Sequence, residues 1–218
     1  MEISWFGQTC FRLVERGFAS VVTDPYPPEV GLTLPRSRAD IVTVSRDDPS
    51  CAFTSGVRGP FMLIDGPGEY EVGGVFVTGI STFADDKQGA ERGQNTIFTF
   101  DFGGLNVCHL GYLGHVPTQS QVEDLGTVDV LLVPVGGGGS LTSAKASEVI
   151  GLFEPGIVIP MHYKIKGITA NLGTITKFLK EMGLEKVDHE ETLKVSKSDI
   201  TEETRVICLE PRQRSNGT

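Results

Sequence analysis

The stretch "DIVTVSRDDPSC", residues 40–51, poses the central question. Val42–Val44 is a β-branched run that reads as a strand ending at Ser45. Arg46, Asp47, Asp48, Ser50 and Cys51 crowd directly behind it. A strand that delivers polar groups to its C-terminal end often carries a site.

Upstream, ISWF, TCFRLVE and FASVVTD are short strands separated by Gly7 and Gly17, and Asp24-Pro25 stops the third. YPPEVGLTLPRS is a proline-bordered loop. Downstream, FMLID and YEVGGVFVTGI read as strands joined by GPGE, and residues 81–94 as a polar surface loop. NTIFTFDF and LNVCHL make a hairpin around Gly103-Gly104, and GYLGHVPTQSQ is another loop. Val128–Val135 is continuously apolar, as suits a strand buried on both faces.

Two helices are expected. Thr142 or Ser143 caps the first, with Ala146, Val149, Ile150 and Phe153 on one face. The second carries Leu172, Ile175, Leu179 and Met182 and ends at Gly183. IVIPM between them is a buried strand, and ETLKVS and TRVICLE add two more. Strands thus precede an alternation of strand and helix with no linker. That pattern predicts one domain over residues 1–211, made of two sheets with helices outside. RQRSNGT, residues 212–218, is expected as a disordered C-terminal tail.

The 218 residues are 39% hydrophobic and 22% charged, enough for one sizeable core. A net charge of −9 argues against nucleic acid or an anionic membrane as the main partner. No apolar run approaches the roughly 20 residues of a membrane span. MEISWFGQTC lacks the features of an export signal. A cytoplasmic protein with free thiols at Cys10, Cys51, Cys108 and Cys208 is therefore expected. Only Cys51 has polar neighbours in sequence.

Taken in order, ISWFGQTCFRL, VVTDPY, DIVTVSRDDPSC, GPGEYEVGGVFVTGI, RGQNTIFTF, VCHLGYLGH, VDVLLVPVGG and IVIPMHY resemble the metallo-β-lactamase-fold superfamily. The likeness is to its Zn-dependent-hydrolase-like branch, which includes L-ascorbate-6-phosphate lactonase-like proteins. It implies an α+β fold, a four-layer αββα sandwich with the site at one edge between the sheets. It also implies a dinuclear zinc centre on His-x-His-x-Asp-His, placed after the strand that here ends at Ser45. Such residues converge on two ions that activate water and polarise the substrate.

This chain has Arg46, Asp48, Ser50 and Cys51 at those positions. By the same resemblance, Ala84 replaces a later histidine ligand, Tyr112 the bridging aspartate, and Gln8 a frequent N-terminal histidine, while His162 remains. Asp24-Pro25, Gly68-Glu69-Tyr70 and Asn95-Thr96 persist as supporting residues. The expectation is a scaffold without its zinc pair, in a non-catalytic binding or regulatory role with a small-molecule ligand. The alternatives are a metal-dependent hydrolase of lactonase or phosphodiesterase type, with zinc on Asp48, Cys51 and His162, and a homo-oligomeric scaffold pairing exposed strand edges. A Cys51–His162 nucleophile–base pair is a further option.

Arg46 either neutralises Asp48 or Asp24 in the vacated space or is a solvent-facing loop residue. Tyr112 plugs the cavity or, with Arg92, recognises an anion. His109 is read as a core hydrogen-bonding residue, His115 as a loop residue and His189 as a surface one. VGGGGSLTSAK lacks the Gly-Lys-Ser/Thr ending of a phosphate loop and reads as a flexible connection. AERGQNT reads as a loop-to-strand junction without chemistry.

Overall fold

The computed structural model describes residues 1–213. Its strands are β1 (Glu2–Gly7), β2 (Cys10–Val14), β3 (Val21–Thr23), β4 (Ser37–Arg38), β5 (Ile41–Thr43), β6 (Val57–Arg58), β7 (Met62–Ile64), β8 (Gly68–Val72), β9 (Val75–Phe83), β10 (Gln94–Asp101), β11 (Asn106–His109), β12 (Val130–Pro134), β13 (Ile157–Met161), β14 (Asp188–Glu190), β15 (Leu193–Lys194) and β16 (Arg205–Leu209). The helices are α1 (Gln119–Leu125), α2 (Ser143–Phe153) and α3 (Ile175–Glu181).

One sheet has the order β15-β1-β2-β3-β5-β7 and the other β14-β16-β13-β12-β11-β10-β9-β8, while β4 and β6 pair as a separate ribbon. Alternation along the first sheet sorts its side chains between two clusters. Ile3, Trp5, Phe11, Leu13, Val21 and Ile41 join the main core. Phe6, Cys10, Val22 and Val42 pack in a second cluster with Tyr26, Val30 and Leu32 from the proline-bordered loop. Successive strand residues point to opposite faces, so the second cluster covers the outer face. Two 3₁₀ turns and the ribbon build that outer layer, whereas α2 packs on β12 and α3 on α2. In the second sheet β11, β12, β13 and β16 run parallel. Parallel strands covered on both faces need unbroken apolar runs, and β12 and β13 are buried at every position.

Helix α2 follows the expected pattern: the Thr142 side chain accepts from the Lys145 amide, and Ala146, Val149, Ile150 and Phe153 are buried. Helix α3 starts only at Ile175, so Leu172 lies ahead of it. Helix α1 begins in the last three residues of a segment read as loop and runs past it. Thr118 and Gln121 form a capping box there, a signal present in the sequence as Thr-x-x-Gln. Only Val122 and Leu125 are apolar in that helix, too few to show a period.

The expectation of a disordered tail does not hold for its first two residues. The Arg212 amide donates to the Trp5 carbonyl. The Gln213 side chain donates to the Phe6 carbonyl at 2.6 Å and accepts from the Thr33 amide at 2.9 Å. Unpaired backbone groups beside β1 reward this anchoring. Residues 214–218 of the expected tail lie outside the described residues. Among the described residues no helix is long and apolar enough to cross a membrane.

Candidate functional site

The ends of β3, β5, β11, β12 and β13 meet the β1–β2 turn at a cavity of about 810 Å³. Gln8, Arg46, Asp48, Ser50, Tyr112 and His162 line it. Cys51 and Ala84, both fully buried, pack with Tyr112 behind that wall. All eight positions singled out in the sequence are therefore gathered in one place.

The backbone is strained there. Gln8, Asp24 and His162 have φ of 54°, 41° and 50°. Left-handed backbone costs on the order of 1 kcal/mol for a residue with a Cβ. Hydrogen bonds hold it: the Gln8 carbonyl accepts from the His162 amide at 3.0 Å and from Trp5 Nε1 at 3.0 Å.

Arg46 stands in the cavity wall. Its side chain is only 16% exposed, and Nη2 lies 3.3 Å from Asp48 Oδ2. Its Cζ sits 5.4 Å from the Tyr112 ring centroid. The solvent-facing alternative is thus corrected, and the partner is Asp48 rather than Asp24. Burial pushes the Asp48 carboxyl up, but the Ser50 hydroxyl and amide and the Arg46 charge outweigh it and hold the group below its ordinary value.

Tyr112 meets the His162 ring edge-on, with centroids 5.0 Å apart. Its amide donates to Asn95 Oδ1 at 2.7 Å, and Asn95 Nδ2 donates to Thr82 and to the Leu110 carbonyl. Asn95 therefore sets the position of Tyr112. His162 Nδ1 is 3.0 Å from Ser140 Oγ, whose hydroxyl donates to the Gly137 carbonyl. Burial, with the Arg46 and Arg92 charges, lowers His162 to about 4, so the ring is neutral at pH 7.

Beneath lies Asp24, with no exposed surface. Oδ1 accepts from the Ser45 amide at 2.7 Å, while Oδ2 has no hydrogen-bond partner. Burial raises this carboxyl to about 7 against the opposing pull of the Ser45 amide. His109 Nε2 is 3.9 Å away but donates to the Thr9 carbonyl at 2.8 Å, the core role expected of it. His115 bonds the Phe83 amide from its loop, and His189 is exposed on β14.

The loop after Phe83 carries what sequence reasoning passed over. Asp85 accepts from the amides of Lys87, Gly89, Glu91 and Arg92 at 2.6–3.0 Å. Desolvation pushes the carboxyl up, but the four amide donors together outweigh it and hold it at about 2. The loop so tied aims Arg92 into the cavity wall. Arg92 Nη1 donates to the Gly138 carbonyl at 3.3 Å, and a Cβ on Gly139 would lie 2.0 Å from Nη1. AERGQNT is therefore not a mere junction. The glycine loop is not a loose connection either, since Ser140 ties it to Gly137 and His162. An aspartate followed by Gly89 and Gly93 was the available signal for an amide-capturing turn. Pro27, Val30, Ala52 and Phe53 supply apolar lining to the same cavity.

A zinc pair requires three or four imidazole, thiolate or carboxylate donors per ion. The cavity offers one imidazole whose Nδ1 faces Ser140, two carboxylates, Asp48 paired with Arg46 and Glu29 on an exposed turn, a phenol and the guanidiniums of Arg46 and Arg92. Cys51 Sγ points to the carbonyls of Arg46 and Asp48, and burial raises its thiol far above the ordinary value. Among the described residues no three His, Cys, Asp or Glu side chains are grouped to hold a metal ion. Asp48, Cys51 and His162 thus do not converge as ligands, and the residues present do not fit a zinc pair.

A Thermotoga maritima protein assigned to the Zn-dependent hydrolases of the metallo-β-lactamase superfamily has a similar crystal structure. The TM-score is 0.79 and the identity 38%, over 95% of this chain and 97% of that one. The UPF0173 protein of Pyrococcus abyssi is 25% identical over 77% of this chain and 85% of its own length. The UPF0173 metal-dependent hydrolase of Natranaerobius thermophilus is 24% identical over 75% and 83%, respectively. Residues 2–162 match the beta-lactamase superfamily domain. With its two-sheet α+β architecture and that match, the chain belongs to the beta-lactamase superfamily.

Proposed function

We propose that this protein binds a small organic anion in a binding or regulatory role, without a dinuclear zinc centre. The observation that carries the reading is the position of Arg46, held between Tyr112 and Asp48 in the wall of the cavity. A guanidinium stays charged at every accessible pH and repels divalent cations, while its fork suits carboxylate or phosphate oxygens. Arg92 supplies a second such group on the same wall. The apolar lining of Pro27, Val30, Ala52 and Phe53 suits a ligand with a hydrophobic body. A cavity of about 810 Å³ is of the size that takes small molecules.

The test joins metal analysis of protein purified without chelator to calorimetry with phenyl phosphate. The expected result is no stoichiometric zinc and saturable binding that Arg46→Gln weakens about tenfold or more. Two tightly held zinc ions per chain, or no binding of the probe, overturns the proposal.

The names of the UPF0173 relatives favour a second reading, metal-dependent hydrolysis on an atypical centre at Asp48, Cys51 and His162. It predicts a lactonase or phosphodiesterase activity that His162→Ala abolishes. An activity indifferent to that substitution removes it.

A further inference from the structure

We infer that a second cavity is a binding site for a compact phosphate-rich anion, a pyrophosphate group or its equivalent. This cavity of about 330 Å³ is lined by Arg12, Arg36, Arg38 and Arg212, with Ser37 beside them. It shares no lining residue with the cavity of Arg46. It lies where the β1–β2 hairpin meets the loop into β4 and the C-terminal segment.

Four of the chain's ten arginines meet here although the chain carries a net charge of −9. Clustered like charges repel, so their assembly needs a compensating anion. Among the described residues none of the four lies within ion-pair distance of a carboxylate. Asp40 feels the Arg12 charge, but the Ser20 amide and hydroxyl take its carboxylate.

The framework is fixed while the guanidinium ends keep free donors. Arg12 stands across β1–β2 from Ser4, and Arg212 Nη1 donates to Ser4 Oγ at 3.4 Å. Arg12 Nε donates to the Arg38 carbonyl at 3.5 Å. The backbone amide of Arg212 is bound to Trp5. Ser37 Oγ, buried in the wall, has no hydrogen-bond partner. Several guanidinium forks in a small volume match adjacent phosphates better than a single carboxylate. The acidic remainder of the molecule disfavours an extended polyanion such as a nucleic acid.

The experiment titrates the full chain calorimetrically with inorganic pyrophosphate, orthophosphate and a single-stranded oligonucleotide. Saturable one-site binding of pyrophosphate is expected, about tenfold or more tighter than orthophosphate and weakened by salt. The double variant Arg36→Gln/Arg38→Gln changes two exposed side chains, so its circular dichroism should match the parent. Its affinity should fall about 100-fold. No saturable binding, equal affinity for orthophosphate, or an isotherm unmoved by the double variant overturns the inference. So does oligonucleotide binding that pyrophosphate does not displace. Arg46→Gln separates the two cavities: pyrophosphate binding lost in that variant and kept in the double variant belongs to the other site and also overturns it.

Discussion

The guanidinium of Arg46 lies over the ring of Tyr112, with Cζ 5.4 Å from the centroid. The face of a phenol is electron-rich and attracts a cation, most strongly where water is scarce. Asp48 completes the arrangement from the side. One pair of residues thus brings together two positions that lie far apart in sequence. Arg46→Met keeps the length of the stem and removes the charge. It should lower the unfolding free energy by about 1–2 kcal/mol, mostly the cation–ring term, since a part-exposed ion pair adds little. Urea denaturation measures this. A variant as stable as the parent means that the stacked guanidinium makes no net contribution.

Asp24 gives a pH signature. Its carboxyl is raised from 3.8 to about 7 by burial. The stability conferred by the protonated form is complete below the unfolded value and is lost as pH rises from about 4 to about 7, after which it is constant. Asp24→Asn removes this dependence. Asparagine also tolerates the φ of 41° better than most residues. The variant should match the parent near pH 4 and exceed it by about 2–4 kcal/mol at pH 8. His109 and His162, both lowered to about 4 by burial, are common to the two proteins and cancel in the difference. A gap that does not widen with pH shows that Asp24 ionises at its ordinary value.

The fold was legible because its signals are local and repeated. Short β-branched or aromatic stretches bounded by Gly7, Gly17 and Asp24-Pro25 mark β1, β2 and β3, and the unbroken apolar runs of β12 and β13 report burial directly. The eight site positions were legible through resemblance, which places residues on strand ends without describing their contacts. Arg92 was named from the sequence as a partner of Tyr112, but what positions it was hidden, because its place depends on four amide hydrogen bonds to Asp85 and on the bare face of Gly139, relations between loops rather than within one. Helix α1 was hidden because its amphipathic face has only two apolar residues, and the anchoring of Arg212 and Gln213 because it depends on backbone groups of β1.

Gly139 tests the setting of Arg92. A methyl group there would collide with the guanidinium, and the φ of 108° is one that side chains rarely adopt. Gly139→Ala should displace Arg92 and weaken phenyl phosphate binding as much as Arg92→Gln does, about tenfold. Calorimetry on both variants checks this. Undiminished binding in Gly139→Ala would show that the contact with the glycine does not set the arginine.

Cys51 bears on nucleophilic chemistry. The thiol is fully buried against Ala84 and Tyr112, and its pKa is raised by burial and by Asp24 and Asp48. A thiol so placed is a poor nucleophile. In native protein at pH 8 it should react with a disulfide reagent no faster than buried Cys10 and Cys108, and all should react together on unfolding. Fast, selective labelling of Cys51 would revive the pairing with His162.

The convergence of Cys51, Ala84 and Tyr112 makes a constructive test feasible. Arg46→His, Asp48→His, Ser50→Asp, Cys51→His, Ala84→His and Tyr112→Asp together place imidazoles and carboxylates around His162 and remove the competing guanidinium. Ala84 is fully buried against Cys51 and Tyr112, so a larger side chain there needs space. Replacing Tyr112 by the smaller aspartate frees volume for the new ring beside it, so overpacking there is partly relieved. The six-fold variant should bind zinc in calorimetry, and the metal should raise its unfolding free energy by about 4 kcal/mol at a thousand-fold excess over the dissociation constant. Arg46 retained in an otherwise identical five-fold variant should abolish most of that affinity, because its charge and bulk occupy the space of the ions. A folded six-fold variant with no zinc affinity would mean that these positions, though adjacent, do not direct their side chains to a common centre.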